Sequence, residues 1–158
     1  MTVTRTHASV PLAARCVPLN ALLSELASGA RTPLLERLRE VHFVDGGLPS
    51  RGAHLTDPRT ADALGALERP PRVCVHGTPR QWRDPSRSWL GAEKDLSVKL
   101  LAKGGVPVFE REYFGDEPPS LEMHFHCVAA FDIDLASAPG AAVRAEREGS
   151  EQCGEGDA

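Results

Sequence analysis

Between positions 19 and 28 the chain reads LNALLSELAS, which sets Leu19, Leu22, Leu23 and Leu26 at the three- and four-residue spacing of one helical face. Gly29 follows as a stop. The short apolar run VHFV at 41–44 closes on Asp45, Gly46 and Gly47, and it predicts a strand ending in a turn. In DPRTADALGALE, Asp57 is placed to cap a helix and Pro58 suits its first position, where no N–H is needed. RVCVHGT at 72–78 is apolar without alternation up to His76, the pattern of a strand covered on both faces.

Asp84 and Pro85 repeat the cap-and-proline signal ahead of a helical face made by Leu90, Leu96, Leu100 and Leu101, which Gly104 and Gly105 end. VPVFEREYF at 106–114 interleaves charges with apolar residues, as a strand near a sheet edge does. Ser120 opens a last helix running through Phe131. The order helix, strand, helix, strand, helix, strand, helix has connections long enough for parallel crossovers, so the pattern predicts an α/β fold with three parallel strands alternating with helices. A sheet of three strands is small, and its first strand is an apolar edge that invites a neighbour or a partner.

The totals narrow the class. At 158 residues with 41% apolar content the chain can build one core. The net charge of −4 comes mostly from the acidic tail, which leaves the body near neutral. With aromatic content of 5% and no basic surplus, a nucleic-acid partner is not expected. No apolar run reaches the roughly 20 residues that span a bilayer. Cys16, Cys74, Cys127 and Cys153 lack the close, even spacing of a disulfide framework, which fits a reducing compartment. The leader at 1–15 and the charged tail at 136–158 are expected to be disordered, and the first 24 residues hold no acid, as in an organelle transit peptide.

Ligands of parallel sheets gather at the carboxyl ends of the strands, which directs attention to Asp45, to the loop from His76 to Asp84, and to the segment reaching His124. A histidine at a helix start sits at the positive end of the macrodipole, a setting that suits a neutral base, and His124 is so placed. Asp84 is equally explained as a helix cap, and Asp45 as part of a glycine turn. His124 and Cys127 share a helical face but lack a second ligand pair, and GGLPSRG has no phosphate-binding spacing, so neither metal nor cofactor is expected. Trp82 and Trp89 read as packing residues.

Taken in order, VHFVDGG, HGTPRQWRDPSRSWLGAEKD and SLEMHF resemble the C-terminal part of the α/β-hydrolase-like family that includes the human chromosome two open reading frame sixty-nine protein. The resemblance covers about residues 16–131 and implies a partial α/β-hydrolase fold over 16–135, with a mitochondrial location. It also implies that His124 is the general base of a catalytic triad and that Asp84 or Asp45 is the acid that orients it. The sequence contains no G-x-S-x-G elbow, and Ala13 and Arg15 stand in VPLAARC where the resemblance wants a serine and a glycine. The triad members are therefore expected to be vestigial or inherited, in a truncated isoform, an incomplete gene product or a short protein without catalysis of its own. Two further readings stand beside this one. The chain could be a non-catalytic module that pairs with a protein partner or a second copy through its exposed sheet edge, or an enzyme that uses Cys16 as nucleophile.

Overall fold

The computed structural model describes residues 16–30, 32–46, 51–52 and 54–131, with the side chains of 16–18 and 35 excepted. The expected leader at 1–15 and tail at 136–158 lie outside the described residues, as does the Cys16 side chain. In chain order the elements are α1 (Cys16–Ala27), α2 (Pro33–Arg37), β1 (Glu40–Val44), α3 (Pro58–Gly65), β2 (Arg72–Gly77), α4 (Pro79–Trp82), a 3-10 turn (Pro85–Arg87), α5 (Trp89–Gly104), β3 (Val108–Glu112) and α6 (Glu122–Ala130). The three strands form one sheet in the order β1-β2-β3, and both pairings are parallel. This is the α/β arrangement that the hydrophobic pattern predicts.

Register sorts the strand residues into two faces. Val41 stands opposite Val73 and Val73 opposite Val108, while Phe43 stands opposite Val75. Those residues cluster with Leu19, Leu23 and Leu26 of α1, Ala61 and Leu64 of α3, and Leu90 and Leu101 of α5, so three helices close one face over the main core. The alternate residues, His42, Cys74, His76 and Phe109, occupy the other face. There α6 contributes the buried Met123 and Cys127, and Phe131 sets its ring edge against His42 and His76. β2 is thus buried on both faces, which is why its sequence shows no alternation.

Two local features position the loops. Asp57 caps α3 as its sequence suggests, accepting from the N–H groups of Arg59 and Thr60. The segment after β2 departs from expectation: it turns through the single-turn helix α4 and the 3-10 turn before α5 begins at Trp89, not at Pro85. The Trp82 ring, half-buried against the core, carries the Lys94 ammonium 4.5 Å from its centroid. Trp82 and Trp89 both pack on the core, as the sequence suggests.

Candidate active site

β1 ends at Val44, and the chain then turns sharply at Asp45, whose φ of 43° lies in the left-handed region. Aspartate tolerates that region better than most residues, and the glycine that follows eases the turn. The Asp45 N–H donates to the His76 carbonyl at 2.7 Å, which extends the β1–β2 ladder by one bond and delivers the carboxylate to the strand end.

That carboxylate is wholly buried and fully engaged. The Thr78 N–H and the Thr78 hydroxyl both donate to Oδ1, each at 3.0 Å, from the first residue after β2. Oδ2 faces Nδ1 of His124 at 2.9 Å, across 79 residues of sequence. An ionised carboxylate only accepts, so this contact puts the imidazole proton on Nδ1 and leaves Nε2 as the acceptor. His124 keeps about a fifth of its side chain in solvent, with 22% exposure. Among the described residues, no hydrogen bond to its Nε2 is found.

The arrangement is that of a buried carboxylate holding a largely buried imidazole. Asp45 comes from the end of β1, Thr78 from the end of β2 and His124 from the first turn of α6, so three separate elements meet at the carboxyl end of the sheet. The site can hold an imidazole in one tautomer and one orientation.

Asp84 sits elsewhere in the hydrogen-bond network. One of its oxygens accepts from the Ser86 N–H and hydroxyl at 2.8 and 2.6 Å, and the other from Arg87 Nε at 2.8 Å. The Ser86 hydroxyl and the Arg87 guanidinium together draw its carboxyl down to about 2. Of the three residues singled out in the sequence, then, the fold joins His124 to Asp45 and engages Asp84 in capping its own turn. Thr78 was not singled out, although a hydroxyl residue directly after a buried strand is the signal that could have found it.

A second cluster escaped the sequence reading as well. His42, Cys74 and His76 lie together on the far face of the sheet, all buried. Each is two or more positions from the others and sits in a run that reads as strand core, so only the parallel register brings them together.

The fold and this site define a parallel α/β protein with an aspartate–histidine pair at the strand ends. The chain belongs to the C2orf69 family, whose model matches residues 11–107, more than half of the sequence. Asp45 and Asp84 lie inside that match and His124 beyond it. The chain is 36% identical over 121 residues to the mitochondrial protein C2orf69 homolog of Danio rerio, with 73% of this chain and 35% of the relative covered. It is 34% identical over 125 residues to the mitochondrial protein C2orf69 of Homo sapiens, with 73% and 31% covered. It therefore spans about a third of the length of the curated relatives it matches. Their names support the mitochondrial location that the resemblance implies. No solved structure matches the chain.

Proposed function

We propose that residues 16–131 form the acid–base half of a serine-hydrolase-type site in an α/β-hydrolase-like protein, with His124 as general base and Asp45 as the acid that orients it. The observation that carries this reading is the 2.9 Å contact between His124 Nδ1 and the buried Asp45 carboxylate. Order along the chain agrees with it: in α/β hydrolases the nucleophile precedes the acid and the acid precedes the histidine, each after a parallel strand. Asp45 follows β1, and His124 follows β3 by 12 residues, at the start of a helix. Asp84, committed to its own turn, is the weaker acid candidate.

In such a site His124 Nε2 takes the proton of a serine hydroxyl as that oxygen attacks an acyl carbonyl, then returns it to the leaving group. Asp45 keeps the ring oriented and stabilises the imidazolium that forms. The 158-residue sequence has no G-x-S-x-G elbow. In this reading the nucleophile and the oxyanion donors come from sequence beyond it, and the chain is inactive by itself. The strand carrying the elbow would lie beside β1, which among the described residues has β2 as its one strand neighbour.

That same edge supports a second reading, in which β1 takes a strand from a protein partner or another copy and no chemistry follows. Labelling with a fluorophosphonate separates the two. The 158-residue chain should remain unlabelled. A longer chain that carries residues 16–131 behind a G-x-S-x-G elbow strand should be labelled on its serine, and His124→Gln in that chain should abolish the reaction while Asp84→Asn spares it. Labelling of the short chain, or labelling of the long one that His124→Gln leaves intact, contradicts the proposal.

A further inference from the structure

The sheet face opposite the main core carries donor atoms where apolar side chains ordinarily pack. His42 stands opposite Cys74 in the β1–β2 register, and His76 lies two residues further along the same face of β2. All three are buried to within 1% of full enclosure. One ligand atom from each, an imidazole nitrogen or the Cys74 Sγ, falls within 4.8 Å of the other two. Two imidazoles and a thiol are the donor set of borderline-soft transition metals, whereas calcium and magnesium take oxygen.

The spacing of the two imidazoles fits coordination. His42 Nδ1 and His76 Nε2 are 3.3 Å apart. Two nitrogens bound at about 2.0–2.1 Å to a tetrahedral zinc ion stand about 3.3–3.4 Å from each other. The remaining nitrogen of each ring faces an oxygen: His76 Nδ1 meets the Tyr113 hydroxyl at 3.1 Å, and His42 Nε2 meets a Glu40 carboxylate oxygen at 3.5 Å. A hydroxyl that can accept from His76 Nδ1 and a carboxylate beside His42 Nε2 are compatible with protons on the outer nitrogens and with metal binding by the inner pair.

We infer that His42 Nδ1, Cys74 Sγ and His76 Nε2 form a binding site for one zinc-class divalent ion, with Glu40 and Tyr113 beside the outer ring nitrogens. Three protein ligands are one fewer than the four a tetrahedral site takes. Cys74 binds a metal as the thiolate, so its proton passes to solvent as the S–metal bond forms. Affinity accordingly rises with pH. The site is separate from the Asp45–His124 pair and stands whether or not that pair is catalytic. The competing arrangement is a metal-free chain of hydrogen bonds from His42 through His76 to Tyr113, which takes up no ion.

Cobalt(II) titrated into the reduced 158-residue chain distinguishes them. The inference predicts one equivalent retained after desalting, the intense visible bands of tetrahedral cobalt, a thiolate-to-cobalt charge-transfer band, and displacement of all of these by zinc. Cys74→Ser should remove the charge-transfer band, while Cys127→Ser, which alters the other buried free thiol among the described residues, should retain it. His42→Gln should lose the tetrahedral spectrum. Uptake well below one equivalent by wild-type chain with folded far-ultraviolet dichroism overturns the site, and so does a charge-transfer band that survives Cys74→Ser. If Cys74→Ser does not fold, the wild-type stoichiometry and spectrum decide.

Discussion

Asp45 occupies a backbone position that few side chains tolerate, and it spends its carboxylate on three donors from two other elements. Removing it leaves the Thr78 N–H and hydroxyl buried without their acceptor, which costs about 1–3 kcal/mol per group. Asp45→Ala is therefore expected to lower unfolding stability by about 3 kcal/mol, and Thr78→Val, which removes one donor at nearly constant volume, by about 1 kcal/mol. Urea denaturation of the two variants checks both values. Equal small losses would show that the carboxylate is not held as described. At this scale the sequence disclosed the residue types but not their partners. DGG marked Asp45 and the helix start marked His124, yet nothing local links positions 79 residues apart. Asp84 was readable as a cap because its bonds reach only Ser86 and Arg87.

Among the elements, α3 and α5 cross where both lack a side chain. A Cβ placed on Gly65 would stand 1.7 Å from the Gly104 carbonyl oxygen, and one on Gly104 would stand 2.7 Å from the Ala61 oxygen. Alanine at 65 gains about 1 kcal/mol of helix propensity but forces the two backbones apart, an overpacking cost of about 1–3 kcal/mol or more. Gly65→Ala should be destabilising on balance and should leave the strand pairing intact. The check is a lowered urea midpoint with an unchanged far-ultraviolet spectrum, and a midpoint at or above wild type would contradict the close crossing. The helices α1, α3 and α5 were legible from their leucine spacing, the Asp57 cap of α3 and the glycines that end α1 and α5, although α5 starts at Trp89 and not at Pro85, and all three strands were legible too. The one-turn helices α2 and α4 were not, because segments of five and four residues carry too few positions to show a period. The imidazoles of β1 and β2 were hidden for a related reason: a strand buried on both faces does not announce which residues share a face.

The molecule as a whole should have a stability plateau bounded on both sides by buried groups held neutral. Burial and the Lys94 charge bring His54 to about 4, and burial with His42 and Arg111 brings His76 to about 3. Unfolded, both rings titrate near 6.5, so the unfolded chain binds more protons below that value. In the metal-free chain, stability is complete above about pH 6.5 and falls as pH drops through about 4 and 3, by up to about 1.4 kcal/mol per pH unit for each ring. On the alkaline side, burial above all raises Cys74 and Cys127 to about 12 from 9.0, so their contribution is present below pH 9.0 and lost as pH rises toward 12. Urea midpoints measured across pH should be flat near neutrality and fall below about 6.5, with a shallower acid slope in His54→Asn. A midpoint unchanged down to pH 5 would mean that these rings are not buried as neutral groups.

The Asp45–His124 pair is the point on which the functional reading rests, and the nitrogen-15 NMR spectrum of the His124 ring at neutral pH addresses it without requiring activity. The account predicts a protonated Nδ1 beside an unprotonated Nε2, a pattern lost in Asp45→Asn and preserved in Asp84→Asn. A ring protonated on Nε2, or a spectrum that responds to Asp84→Asn and ignores Asp45→Asn, would contradict it.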